Sequence, residues 1–425
     1  MTTAVIEPSW ISGEVFAPAS KSAMQRACAL AVLNKGTTSI YNPGNSDDDR
    51  AAIDIIQKLG ASVNFADNLL IVKSSGTIQP AGEIDCRESG LSLRMFAAIA
   101  ALSNKSLMFI GRGSLLSRPI HFFEEVFPLL AVSATTNRGF LPLHLKGPLV
   151  PKPINIDGSR SSQYLTGLLF AFAKAATEPV SIAVSGLKSK PYIDLSLQMM
   201  EHFGYKVKHD KYLSFFIEPV IQSQQEINYT VEGDWSGAAF LLVAGAIAGD
   251  IRLKGLDAYS AQADRVIVDV MISAGAKVSV EGSCFLVNNK SKLKAFEFDA
   301  TDCPDLFPPL AALAAYCKGT SSIKGVSRLA SKESDRAASL QNVFSKMGVD
   351  ISVDGDVMHI GGGNEIKAAD VSSHHDHRIA MAAAVAALSS TGTTVITNAE
   401  AVNKSYPRFF DHLKMLGASV SLIGQ

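Results

Sequence analysis

The chain has 425 residues, 47% of them hydrophobic and 19% charged, with 39 Lys and Arg against 40 Asp and Glu. This is the composition of a globular protein of two or three domains, and a net charge of −1 excludes a global positive field that would gather nucleic acid or a membrane surface. The five cysteines, Cys28, Cys86, Cys284, Cys303 and Cys317, are odd in number and include no CxxC pair, so they read as buried thiols in a reducing compartment rather than a disulfide framework.

The opening MTTAVIEPSW has neither the basic nor the apolar region of a signal peptide, and the cytoplasm is the expected compartment. Strand-like runs follow at 37–42 (TTSIYN), 69–74 (LLIVKS), 106–111 (SLMFIG), 180–186 (VSIAVSG) and 393–398 (TTVITN). Between them lie six helical segments that are apolar on nearly every side: RACALAVL, LRMFAAIAAL, YLTGLLFAFA, GAAFLLVAGAIA, LFPPLAALAAY and RIAMAAAVAAL. Helices of that kind are buried. The longest apolar stretch, 237–249, is shorter than the about 20 residues a membrane crossing needs. Amphipathic helices such as DDDRAAIDIIQKL and ESDRAASLQNVFSKM alternate with the buried ones and should cover them.

Each amphipathic segment ends in a similar phrase: QKLGASV, PLLAVSA, EHFGYKV, ISAGAKV, FSKMGVDI and KMLGASV. The marker positions are Gly60, Ala131, Gly204, Gly275, Gly348 and Gly417, at spacings of 71, 73, 71, 73 and 69 residues. A glycine there suits the left-handed residue that ends a helix; Ala131 departs from that rule. The repeat unit is therefore two helices with three or four strands. Six units of that size suit two halves of three, meeting near 227–235.

The polar residues concentrate at the starts of the buried helices: PASKSAMQR, RESGLSLR, GSRSSQY, EGDWSGA, DCPDLF and HHDHR. Serine, aspartate and glycine are ordinary caps at such places. Cations gather beside them as well: Lys21, Arg26, Arg94, Arg160 and Arg378, with Arg118, Lys190, Lys332, Arg336 and Lys404 at the second-helix starts. Helix N-termini and clustered guanidinium groups in a chain of no net positive charge point to a small polyanionic substrate. No GxxxxGK[ST], complete GxGxxG, CxxC or HExxH motif is present, which favours group transfer without ATP, redox cofactor or metal. His374, His375 and His377 of SSHHDHRIAM invite a zinc reading. The expectation is instead no metal, with His374 and His375 as exposed loop residues.

Taken together, PASKSAMQRA, SSQYLTGLL, SKPYIDL, KESDR and DHRIAMAAAVAAL give the chain, over essentially its whole length, a sequence that resembles the EPSP synthases (3-phosphoshikimate 1-carboxyvinyltransferases), of the enolpyruvyl transferase family. The resemblance implies an α/β (α+β) fold: a two-domain inside-out α/β barrel of six βαβαββ repeats, three per domain about pseudo-three-fold axes. It implies one domain over 17–229 and a discontinuous one over 1–16 plus 230–425, with the active site in the interdomain cleft. The implied reaction moves the enolpyruvyl group of phosphoenolpyruvate to the 5-hydroxyl of shikimate 3-phosphate and releases phosphate, in the shikimate pathway to chorismate and aromatic amino acids. No cofactor, nucleic acid or membrane partner is implied, and a monomer is.

The resemblance also assigns roles by matched motif. Lys21, Ser22, Arg26, Ser161, Ser162, Gln163, Ser189, Tyr192, Asp305 and Lys332 would bind shikimate 3-phosphate. Lys21, Gly90, Arg118, Gln163, Arg336, Arg378 and Lys404 would bind phosphoenolpyruvate. Asp305 would take the hydroxyl proton. Glu333, with Lys21, would protonate the methylene carbon. His377 and Lys404 complete the catalytic set, and Asp376 caps or orients. Glyphosate would occupy the phosphoenolpyruvate position next to Gly90. CRESGLSLR departs from the common family form at Glu88, Leu91 and Met95, and Arg328 stands where an asparagine is often found. Two relatives by fold fit less well. UDP-N-acetylglucosamine enolpyruvyl transferase normally has Lys-Asn where this chain has Lys21-Ser22, and a loop cysteine that 111–120 lacks; RNA 3′-phosphate cyclase needs ATP. A non-catalytic anion-binding scaffold would have no reason to keep Lys21, Asp305, Glu333 and Lys404 together.

Overall fold

A computed structural model of the protein describes residues 1–220, 224–330 and 332–424. The chain forms two compact units, one of residues 21–231 and one of 1–20 with 232–425.

The 21–231 unit holds α1 (Lys21–Leu33), α2 (Asp47–Lys58), α3 (Gly90–Ala100), α4 (Phe122–Val126), α5 (Ser162–Ala175) and α6 (Lys190–His202). The other holds α7 (Trp235–Ala248), α8 (Ile267–Ser273), α9 (Phe307–Tyr316), α10 (Arg336–Lys346), α11 (His377–Ala387) and α12 (Phe409–Met415). In each unit the three apolar helices pack on one another, α1, α3 and α5 in one and α7, α9 and α11 in the other. Every residue of α7 and of α11 is buried. Alanine makes up six of the eleven residues of α11, and alanine with glycine half of α7, so much of each helix surface is small enough for close packing. Among the described residues each unit has three four-stranded sheets, one per repeat. Every sheet follows one scheme. A first strand runs parallel to the second, which pairs antiparallel with the fourth, which pairs antiparallel with the third. Glu83–Asp85, Ser106–Ile110, Phe140–Lys146 and Ser133–Asn137 form one such set. In the sheet of the last repeat, Thr3–Ile6 takes the fourth place, between Thr394–Thr397 and Val420–Ile423.

Two of the first strands are exchanged along the chain. Ile11–Phe16 precedes α1 yet pairs in parallel with Gly249–Lys254, after α7. Gln225–Thr230 precedes α7 yet pairs in parallel with Lys35–Tyr41, after α1. Each repeat that begins a unit in sequence thus draws its edge strand from far along the chain.

All six repeat markers are left-handed, at φ +105, +62, +82, +88, +82 and +94° for Gly60, Ala131, Gly204, Gly275, Gly348 and Gly417. At each, the marker N–H bonds the carbonyl three residues back and the next N–H bonds the carbonyl five residues before it, as in Gly60 to Gln57 and Ala61 to Ile56. This double bond pattern closes the helix C-terminus. Ala131 adopts it as well, bonding Pro128 while Val132 bonds Phe127, so the second copy keeps the geometry without the residue that best tolerates it.

Candidate active site

In the 21–231 unit the start of α1 faces the start of α2. Lys21 Nζ lies 2.9 Å from Asp48 Oδ2. Asp49 closes a capping box with Ser46, accepting from the Ser46 N–H at 3.0 Å and the Ser46 hydroxyl at 2.6 Å. Burial pushes the Asp49 carboxyl up to about 7, against the pull of those hydrogen bonds and of Lys21. Arg26, 1% exposed, is expected at the substrate but is committed inward. Its Nε donates to Ser196 Oγ at 2.8 Å, Nη1 to the Ser22 carbonyl at 2.9 Å and Nη2 to the Tyr192 carbonyl at 3.3 Å. Burial lowers it to about 10. The guanidinium fixes Ser22 and Tyr192 by their backbones, tying α1 to α6.

The starts of α3 and α5 form a second cluster. Ser89 caps α3, and the Ser89 and Ser92 hydroxyls both donate to Gln25 Oε1, at 3.1 and 2.9 Å. Gly90, the first residue of α3, is buried, and a Cβ there would stand 2.8 Å from Arg118 Nη1 and 3.1 Å from Arg94 Nη1. Two guanidinium groups therefore converge on the N-terminus of α3. Arg94 Nη1 donates to Gln163 Oε1 at 2.8 Å, and its guanidinium lies 5.5 Å from the centre of the Tyr164 ring. Ser161 caps α5 by accepting from the Gln163 N–H at 3.2 Å, and Ser162 is buried beside it. Ser189 holds a left-handed φ of +56° just before α6, which carries Tyr192 in its first turn.

In the other unit Asp305 is the hub. It accepts from Arg336 Nη1 at 2.7 Å, Lys332 Nζ at 3.0 Å and Arg378 Nη2 at 3.0 Å. Burial alone would push its carboxyl up, but Arg378, Lys332 and Arg336 together hold it well below the usual carboxylate range. Glu333 accepts from Arg336 Nη2 at 2.5 Å and lies 3.7 Å from Lys404 Nζ. Asp376 is fully buried and caps α11. One oxygen accepts from the Arg378 N–H at 2.9 Å, the other from Arg336 Nε at 2.8 Å and Ser334 Oγ at 3.2 Å. Four cations, Lys332, Arg336, Arg378 and Lys404, thus gather around Asp305, Glu333 and Asp376, the kind of cluster that can take up an anionic substrate. His377 is buried at the first position of α11, its Nδ1 3.7 Å from Asp376 Oδ1.

The histidines before α11 differ from expectation in one respect. His375 is exposed, but His374 is half-buried and its Nε2 lies 3.2 Å from Asn342 Oδ1. Both occupy left-handed backbone, φ +52 and +56°, which turns the chain into α11. Among the described residues no group of three or more His, Cys, Asp or Glu side chains is disposed to hold a metal ion, and no helix is long and apolar enough to cross a membrane.

Several residues of these clusters have no role that the sequence alone assigns. Arg94 stands out there only as a helix-start cation; its partner Gln163 is 69 residues away. Asp48 is one of three consecutive aspartates, and nothing in that run marks it as the partner of Lys21. Asp264 is fully buried beneath the start of α7, where the Ser236 hydroxyl donates to its Oδ2. Burial and the charge of Asp305 push it up to about 7, against the pull of Arg378. A lone aspartate in ADRV carries no signal of such a place.

The fold is that of the enolpyruvyl transferases. The structure superimposes on an EPSP synthase from Acinetobacter baumannii with a TM-score of 0.85 at 23% identity, covering 100% of both chains. It superimposes on the enolpyruvyl transferase NikO from Streptomyces tendae with a TM-score of 0.79 at 17% identity, covering 99% of this chain and 98% of the other. In sequence it is 35% identical over 416 residues to the 3-phosphoshikimate 1-carboxyvinyltransferase of Clostridium kluyveri, covering 98% of this chain and 97% of that protein. It is 34% identical over 425 residues to that of Clostridium novyi, with the same coverage. The family model described as EPSP synthase (3-phosphoshikimate 1-carboxyvinyltransferase) matches residues 5–413. The chain belongs to the EPSP synthase family.

Proposed function

We infer that the protein transfers the enolpyruvyl group of phosphoenolpyruvate to the 5-hydroxyl of shikimate 3-phosphate, giving 5-enolpyruvylshikimate 3-phosphate and phosphate. Family membership supports the reaction. The observation in the structure that supports it best is the Asp305 hub, a carboxylate held by three cations beside a second carboxylate, Glu333. That is the equipment for moving two protons near a polyanion.

The reading assigns both clusters to one pair of substrates. Arg118 and Gly90 with Lys21, Gln163, Arg336, Arg378 and Lys404 take phosphoenolpyruvate. Lys21, Ser22, Ser161, Ser162, Gln163, Ser189, Tyr192, Asp305 and Lys332 take shikimate 3-phosphate, and Arg26 holds Ser22 and Tyr192 for it. The 5-hydroxyl oxygen bonds to C2 of phosphoenolpyruvate and gives its proton to Asp305. C3 receives a proton from Glu333 and becomes a methyl group. In the second step the C2–O bond to phosphate breaks, the departing phosphate carries off the proton that Asp305 took, and the methyl group returns a proton to Glu333, assisted by Lys21.

Asp305 in the unliganded protein is too weak a base for this task, because Arg378, Lys332 and Arg336 hold its carboxyl down. The phosphoenolpyruvate anions answer that difficulty. Where they engage Arg378 and Arg336, the pull of those cations on Asp305 weakens and its basicity rises as the substrate arrives. The arginines then stabilise charge on the tetrahedral intermediate. The proposed working form is a cytoplasmic monomer that needs no cofactor.

The test is phosphate release from phosphoenolpyruvate with shikimate 3-phosphate or UDP-N-acetylglucosamine as acceptor, with no metal or nucleotide added. Release with shikimate 3-phosphate alone is the expected result. Release with neither, from folded protein, would sink the reading.

A further inference from the structure

The anion site at the start of α3 contains a carboxylate of its own. Glu88 precedes the cap residue Ser89 and is half-buried. Its Oε2 accepts from the Ser114 N–H at 3.4 Å and from the Ser114 hydroxyl at 3.3 Å. The same hydroxyl accepts from Arg118 Nη2 at 3.4 Å. One serine therefore relays between Glu88 and the guanidinium whose Nη1 borders Gly90. The space is shaped for this side chain. Gly113 has a left-handed φ of +55°, and a Cβ there would collide with the Glu88 carboxyl. The loop that carries Ser114 and Arg118 thus gives up a side chain where Glu88 lies.

We propose that Glu88 sets the affinity of this anion site, as a fixed counter-charge that moderates the Arg118 cation through Ser114 and so limits how tightly a phosphoryl anion is held at the start of α3. This rests on the reading that Arg118 takes phosphoenolpyruvate. A helix N-terminus and two converging guanidinium groups would hold any phosphate strongly. That includes inorganic phosphate, which the reaction produces in the same place and must release. A carboxylate one hydroxyl away from Arg118 weakens both anions, and the smaller one, with fewer other interactions to hold it, is released more readily.

The proposal predicts a gain on mutation. In Glu88→Gln the amide oxygen still accepts from Ser114, so the relay keeps its geometry while the charge is gone. Phosphoenolpyruvate KM should fall about three- to tenfold, the scale of one partly screened charge at this range. Inorganic phosphate, titrated calorimetrically into the same variant, should bind tighter by a similar factor, while the KM for shikimate 3-phosphate stays put. Glu88→Ala, which also removes the acceptor, should gain less, because Ser114 and Arg118 lose their anchor. In an Arg118→Gln background the gain from Glu88→Gln should disappear.

A Glu88→Gln variant whose KM and phosphate affinity are unchanged or weaker overturns the proposal, as does a gain that survives Arg118→Gln. The two readings fail separately. Lack of turnover in the unaltered protein would defeat the enzymatic reading yet leave the phosphate titration to decide on Glu88. A loss of phosphate binding in Arg118→Gln with a silent Glu88→Gln would defeat this inference alone.

Discussion

Replacing Gly90 with alanine adds one methyl group at the point where the two guanidinium groups converge. The backbone accepts it, because Gly90 opens a helix and has no left-handed φ. The obstruction is the end of a flexible side chain. The new Cβ would stand 2.8 Å from Arg118 Nη1, so the guanidinium must withdraw by roughly 0.6 Å to reach the 3.4 Å at which the approach becomes ordinary. Hydrogen bonds to charged groups contribute about 1.5–3 kcal/mol. Weakening one by half costs about 1 kcal/mol, or roughly fivefold in phosphoenolpyruvate KM. Glyphosate should be weakened further. Its chain from carboxylate to phosphorus is one atom longer, and the methyl group shortens the space it fills. Its inhibition constant should rise by at least about ten times the change in KM, the scale of breaking one more hydrogen bond to a charged group. The fold should not suffer, since alanine favours a helix over glycine. The assay is steady-state kinetics with glyphosate as competitor, paired with thermal denaturation. Equal weakening of substrate and inhibitor would show that Gly90 does not discriminate between them. No change in either would remove Gly90 from the site, and a large drop in melting temperature would mean that Arg118 cannot withdraw.

Asp305→Asn keeps an acceptor but loses the base; kcat should fall at least about a hundredfold without a rise in phosphoenolpyruvate KM, since Lys332, Arg336 and Arg378 lose a competing anion. A kcat within a few-fold of the parent in single-turnover assays would contradict the proposed role. Ala131→Gly should stabilise the protein. Left-handed backbone costs an L-residue about 1–2 kcal/mol, part of which glycine's extra unfolded-state freedom takes back, leaving a gain of up to about 1 kcal/mol in urea denaturation. Asp49 makes stability depend on pH. Its folded pKa of about 7 lies above that of the unfolded chain, so the native state binds the proton more tightly, and stability falls as pH rises from about 4 to 7 and then levels off. Asp49→Asn should remove that slope, gaining on the parent by on the order of 2 kcal/mol between pH 5 and pH 8. A parallel pair of pH–stability curves would show that Asp49 is ionised throughout.

The periodicity was legible because its cause is local. A helix that ends in a left-handed residue needs glycine or a tolerated substitute there, and five of six markers declare themselves. Ala131 shows the limit, since residue type alone points away from the conformation it adopts. The buried helices were legible for an equally plain reason, for they have no polar face to offer water. Individual pairings were not. Nothing around Gln163 names Arg94, nothing around Lys21 names Asp48, and Arg26 reads as a substrate-facing cation until its three inward acceptors are seen. His374 likewise reads as an exposed loop residue, because Asn342 is 32 residues away.

By itself the sequence determined the repeat, its six copies, the alternation of buried and covering helices and the cation-rich helix starts. Each element follows from patterns within some 20 residues, where helix and strand periods act directly, and the repeat from the recurrence of those patterns every 69 to 73 residues. The tertiary structure decided which carboxylate answers which cation, and so why Asp305 is a restrained base and why Glu88 shares a serine with Arg118. It also decided the exchange of Ile11–Phe16 and Gln225–Thr230, each added to a sheet whose next strand lies beyond another helix. An edge strand carries the same alternation wherever it pairs. Only the unsatisfied edge waiting for it, more than 180 residues away in either direction, fixes where it goes.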